Sequence, residues 1–156
     1  MNTTVNQITR FNIRVYGIYI NERQEILVTD EYRLGTYMTK FPGGGLKFGE
    51  GTLECLRREI REELGQEPFN LQHFYTTDFF QASWLIHPPA QLISIYYLMQ
   101  LPSPHSITLA ERPFAFGPEE GAQAFRYLPL SAPAYSFTFP VDRVVWELLK
   151  KKFDGA

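Results

Sequence analysis

The segment from Pro42 to Gly65 constrains the fold more than any other. Pro42-Gly43-Gly44-Gly45 stops a short strand expected over Tyr37–Phe41. A few residues later, Thr52 to Leu64 carries the clearest helical pattern in the chain. Leu53, Leu56, Ile60 and Leu64 recur at three- and four-residue spacing, and Gly65 follows as a C-terminal stop. Thr52 is the expected N-cap. Cys55 rather than Glu or Gln stands three residues on, so no capping box is expected.

The flanks read as strands, at Phe11–Ile20, Ile26–Thr29, Gln72–Phe80, Leu92–Leu101 and Phe125–Leu130, each rich in β-branched or aromatic residues. Near the end, Val141, Val144, Val145, Leu148, Leu149 and Phe153 form one helical stripe, with Pro140 at its start and Lys150–Lys152 at its carboxyl end. One helix in the middle and one at the end imply an α/β fold with a sheet sandwiched between helices. Pro102 to Ala124, with four prolines and little periodicity, is expected to be a long loop acting as a lid or binding loop.

Composition excludes several classes. With 156 residues, 44% hydrophobic and 21% charged, the chain suits one ordinary globular domain, expected over 1–156. Fifteen Lys and Arg against seventeen Asp and Glu leave a formal charge of −2, so no global field draws it to nucleic acid or an anionic membrane. A single cysteine, Cys55, excludes a disulfide framework and a multi-cysteine zinc site. MNTTVNQITR lacks the apolar core of a signal peptide, and no apolar run is long enough for a bilayer, so a cytoplasmic setting is expected.

Chemistry concentrates on the middle helix. Glu59, Glu62 and Glu63 lie at i, i+3 and i+4 and project as one carboxylate cluster. Their mutual repulsion needs an offset. Arg57, Arg58 and Arg61 can supply it on a solvated face. A hard cation such as Mg²⁺, which takes oxygen ligands and keeps several waters, can supply it too, with Glu50 and the glycine carbonyls completing the shell. The glycines do not form a P-loop, since no Gly-Lys-Ser/Thr follows at the required spacing. His73, His87 and His105 show no paired ligand spacing, and Cys55 reads as an inert core thiol.

Gly44, Glu50, Arg58-Glu59-Ile60, Glu62-Glu63 and Gly65 together resemble the signature box of the Nudix hydrolases, which would span Gly44 to Gln66. Gln66 departs from the usual aliphatic residue, at a position expected to affect packing rather than chemistry. The resemblance implies the family's α/β/α sandwich, a mixed sheet between a box helix over about 52–64 and a C-terminal helix over about 141–152. It implies hydrolysis of a nucleoside diphosphate linked to another moiety, with Mg²⁺ or Mn²⁺ held by Glu59, Glu62, Glu63 and Gly44. Arg58 would orient a box carboxylate, and the general base would be a box glutamate or one in the long loop, Glu119 or Glu120. Gly43, Gly44, Arg33 and Lys40 are candidates to meet substrate phosphates.

The partner implied is a small nucleotide, without nucleic acid or membrane, and a homodimer stays open. The alternative is a non-catalytic nucleotide sensor of the same fold. It is disfavoured because all box acids are present and the chain has no room for a DNA-binding extension. No proline falls in Asn70–Ile86, and the serine-glutamine-proline motif is missing. Both features argue against the ADP-ribose- and NADH-cleaving groups. Sugar nucleotides, oxidised nucleoside triphosphates and dinucleoside polyphosphates remain open.

Overall fold

A computed structural model describes residues 4–153; the outermost residues of the expected 1–156 domain lie outside the described residues. In chain order the elements are α1 (Thr4–Gln7), β1 (Phe11–Ile18), β2 (Glu25–Arg33), β3 (Thr36–Lys40), β4 (Gly43–Gly45), α2 (Thr52–Leu64), β5 (Phe69–Thr76), β6 (Ala82–Ser83), β7 (Ala90–Gln100), β8 (Ala122–Pro129) and α3 (Pro140–Phe153). Short 3₁₀ turns sit at Pro104–Ser106 and Ala134–Ser136.

The expected mixed sheet is present in two parts. One runs β4-β1-β7-β5, with β6 also on β7; the other runs β3-β2-β8. Among the described strands β1 and β7 pair in parallel, from Phe11↔Gln91 to Ile18↔Leu98, and the other strand pairs are antiparallel. Alternation along β1 divides the core between the two helices. Val15 faces α2, packing with Leu27, Cys55, Leu56, Ile60 and Met99. Tyr16 and Ile18 face α3, in a cluster with Val28, Phe41, Tyr96, Val145, Trp146 and Leu149.

Helix α2 has its expected bounds, but its start differs. Gly51 is the N-cap, and its N–H donates to Glu54 Oε1 at 2.7 Å, the half of a capping box that glycine permits. Thr52 is already helical, and its hydroxyl is hydrogen-bonded to Tyr97 Oη at 2.6 Å instead. The apolar face also shifts: Cys55 is fully buried, whereas Leu53 in the first turn is exposed.

The remaining boundary differences come from long-range pairing. β2 extends to Arg33 because β3 and β8 flank it on both sides. β5 lies at Phe69–Thr76 rather than 72–80. It begins opposite Gln100, the last residue of β7, and its pairing stops at Thr76↔Ile95, beyond which β6 takes over the edge of β7. The long loop is not a free lid. Gln66 holds Ser103 through two bonds, Asp30 accepts the Phe114 N–H at 3.3 Å, and Glu120 accepts the Leu34 N–H at 2.9 and 3.0 Å. Its last residues already belong to β8.

Candidate active site

The glycine turn is part of the sheet. Gly45, Gly44 and Gly43 pair antiparallel with Arg14, Val15 and Tyr16 at the sheet edge. At Gly43 φ is +147°, and a Cβ would lie 2.7 Å from Tyr16 Cα, so only glycine fits there. A Cβ on Gly44 would meet the Glu59 carboxyl group at 2.5–2.6 Å. The missing side chain therefore lets a helix carboxylate press against the turn. Gly43 N–H donates to Glu63 Oε2 at 3.0 Å, which ties a second box carboxylate to the same turn.

Arg58 organises the acids. Its Nε and Nη2 donate to the two oxygens of Glu50 at 2.5 and 2.9 Å, and its Nη1 donates to Glu59 at 2.8 Å and Glu62 at 3.3 Å. Nη2 also reaches the Gly45 carbonyl at 3.0 Å. Glu50 additionally accepts the Lys47 N–H, and these bonds, Arg58 foremost, hold its carboxyl down at about 2. Arg58 itself is raised above its ordinary value, chiefly by Glu50. Glu54, four residues before Arg58, is used on the Gly51 N–H instead.

Glu63 differs from its neighbours. Gln123 Nε2 donates to Glu63 Oε1 at 2.8 Å and reaches Glu31 Oε2 at 3.1 Å and Thr29 Oγ1 at 3.0 Å. Burial, together with the charges of Glu31 and Glu59, pushes the Glu63 carboxyl up to about 7, against the pull of Lys40 and Gln123. Glu31 and Gln123 drew no attention in the sequence. An acidic pair, Asp30-Glu31, soon after the apolar run Ile26–Val28 is the available signal for Glu31; Gln123, in β8 but within the stretch expected to be loop, offers none.

The other candidates spread around this centre. Lys40 is buried rather than a surface charge and pairs with Glu31 at 3.2 Å. Burial alone would lower Lys40, but Tyr16 and the carboxylates Glu31 and Glu63 hold it above its ordinary value. Arg33 ends β2 and, with Lys40, lines a cavity of about 140 Å³ that also touches Arg14, Tyr16, Tyr96 and Asp142. Glu120 is engaged at the β2–β3 turn rather than with the box acids. Cys55 is buried and its thiol is pushed up to about 11 by that burial, as an inert core residue should be.

The donor set suits a hard cation: carboxylates on one helix face and a backbone carbonyl at a turn free of side chains. As arranged, Arg58 takes an oxygen of Glu59 and of Glu62, and no three acidic, histidine or cysteine side chains converge on one point among the described residues. Glu62 is the most open of the set, with 56% of its side chain exposed, and is free to turn toward a ligand.

Among the described residues, no helix is long and apolar enough to cross a membrane. No curated protein matches the chain. Solved structures share its fold. They include MutT, from a study of the Aliivibrio salmonicida and Vibrio cholerae proteins, at 22% identity and TM-score 0.63, covering 92% of this chain and 100% of that one. The E. coli ORF135 protein matches at 15% identity and TM-score 0.63, covering 94% of each. An ADP compounds hydrolase matches at 17% and 0.62, covering 92% of this chain and 74% of that one. The model of the NUDIX domain matches residues 10–145, nearly the whole described chain and all of the glycine turn and acidic helix, so the protein belongs to the Nudix family of pyrophosphohydrolases.

Proposed function

We propose that residues 1–156 act as one Nudix domain that hydrolyses the pyrophosphate linkage of a nucleoside diphosphate joined to another moiety, with Mg²⁺ or Mn²⁺. The observation that carries this reading is the Arg58-centred carboxylate set pressed against a side-chain-free turn. Glu59, Glu62, Glu63 and the Gly44 carbonyl would hold the cation. When bound, it neutralises phosphate charge and lowers the pKa of a coordinated water.

The chain's own groups supply orientation. Arg58 fixes Glu50 and Glu59 through charge-assisted bonds, so the acids do not have to be ordered anew at each turnover. Gly43 and Gly44 let a phosphate approach the backbone, and Arg33 and Lys40 stand in the wall of the adjoining cavity. A general base drawn from the box is favoured over Glu120, whose carboxylate is used on the Leu34 N–H.

The test is phosphate release from a panel of sugar nucleotides, oxidised nucleoside triphosphates and dinucleoside polyphosphates, with Mg²⁺ and with EDTA. Release with Mg²⁺ that EDTA abolishes is expected. Tight binding of a panel member without turnover would replace hydrolysis by the sensor reading.

A further inference from the structure

Arg14 is an unusual residue for β1. It stands in a strand whose neighbours Val15, Tyr16, Gly17 and Ile18 are buried, yet among the described residues no carboxylate lies within ion-pair distance of it. Its Nε donates to Tyr16 Oη at 2.6 Å, and its guanidinium carbon lies 5.7 Å from the centre of the Tyr16 ring. Neither Nη has a hydrogen-bond partner among the described residues. No buried side-chain nitrogen or oxygen lacks a partner there either, so neither Nη is sealed within the protein, and Arg14 lines the cavity.

The nearby acids are already taken. Glu31 is paired with Lys40 and bonded to Gln123 and Thr29, and Glu59 is paired with Arg58. Tyr16, and Glu59 and Glu31 from a distance, hold the guanidinium in its charged form against the cost of burial, yet no carboxylate bonds to it, so its Nη edge stays available to an anion. Of the other two cations in the cavity wall, Lys40 is neutralised by Glu31 and Arg33 sits at the exposed end of β2.

Position determines which anion. Arg14 pairs with Gly45 across the sheet edge, and its Nη1 lies 3.7 Å from where a Gly45 Cβ would stand. One residue along, Glu59 presses on Gly44 from the α2 face. A molecule that begins at the box acids and ends in the cavity therefore passes over the glycine edge beside Arg14. We propose that Arg14 is a substrate-binding residue, its open Nη edge gripping a phosphate oxygen of a pyrophosphate-containing substrate where it crosses from the box into the cavity. This rests on the proposed hydrolysis only for the name of the substrate; the anion site is testable by itself.

The probe is inorganic pyrophosphate with Mg²⁺, measured by calorimetry on the wild type, Arg14→Met and Arg14→Lys, each checked for a cooperative melt. Arg14→Met should bind at least about tenfold more weakly, and Arg14→Lys should fall between the two, because lysine keeps the charge and loses the fork. With a turned-over substrate, the loss should fall on KM more than on kcat. Should Arg14→Met fail to fold, the lysine variant still decides, since wild-type affinity there would remove the need for the fork. Wild-type affinity in both variants, or a wild-type protein that takes up no pyrophosphate, overturns the assignment. Binding that depends on Arg14 in a protein that hydrolyses nothing on the panel would leave the anion site standing and sink only the hydrolytic reading.

Discussion

Arg58 holds Glu50 by both ends, Nε to Oε2 at 2.5 Å and Nη2 to Oε1 at 2.9 Å, across eight residues of sequence that turn from loop into helix. This is a fork gripping a carboxylate, and the same guanidinium reaches Glu59, Glu62 and the Gly45 carbonyl. A lysine offers one point charge in place of five planar donors. Arg58→Lys should lower kcat at least about tenfold, equivalent to about 1.4 kcal/mol, because the freed carboxylates lose their common orientation. Steady-state rates at wild-type level would reduce Arg58 to a charge screen.

The grip also predicts acid behaviour. Glu50 is held at about 2, below its unfolded value, so its stabilisation is present above the unfolded carboxylate pKa, roughly 4.3, and is lost as pH falls toward 2. Arg58→Met removes the cause. Its melting temperature should approach that of the wild type as the pH is lowered from about 5 to about 2. A constant offset between the two melts across that window would refute the linkage.

Gly44 separates catalysis from stability. A Cβ there would stand 2.5 Å from the Glu59 carboxyl carbon, the far end of a flexible side chain that can swing aside. Gly44→Ala should therefore melt within a few degrees of the wild type while displacing a carboxylate from the site. Misplacement of about 1 Å can cost about a hundredfold in rate, and a loss of that order is expected in single-turnover assays. Normal activity in Gly44→Ala would mean that Glu59 is not needed where it stands.

Glu62 and Glu63 should both be needed for turnover but differ in what else they do. Glu62 is open to solvent, whereas Glu63 accepts bonds from Gly43 N–H and Gln123. Glu62→Gln should lose kcat by orders of magnitude with an unchanged melt. Glu63→Gln turns one of its acceptors into a donor facing a donor, so it should lose activity and also about 1–3 kcal/mol of stability. Two mutants that melt alike would show that Glu63 is not anchored as described.

The parts legible in the sequence were those with local causes. Helix α2 could be bounded at Thr52 and Leu64 because its apolar spacing and its glycine stop lie within the helix and next to it. The box acids and Arg58 could be named because a fixed spacing on one helix determines which side chains share a face. What stayed hidden was set by partners distant in sequence. Nothing near Thr52 announces Tyr97, nothing near Lys40 marks it as buried against Glu31, and Gln123 reaches Glu63 across sixty residues. The long loop read as a lid because its anchors, Asp30, Leu34 and Gln66, all lie outside it.

Gln66 turns that lesson into a test. It occupies the one box position where this chain departs from the family's usual aliphatic residue, and it is buried, with 8% of its surface exposed. Its amide makes a reciprocal pair with the Ser103 backbone, Nε2 to the carbonyl at 2.6 Å and the Ser103 N–H to Oε1 at 2.9 Å, and it also reaches Ser106 Oγ at 3.2 Å. Gln66→Leu would restore the family's residue type and add apolar surface. It would also leave the Ser103 N–H without its partner, while the Ser103 carbonyl keeps the Ser106 N–H and hydroxyl. An unsatisfied buried polar group costs about 1–3 kcal/mol, against roughly the same gain for one well-packed leucine. The leucine would meet a site built around polar atoms, so the loss should dominate. Gln66→Leu should melt below the wild type, with faster amide exchange over residues 103–108 and little change in kcat. A variant as stable as the wild type, with the loop equally protected, would show that the anchor is dispensable.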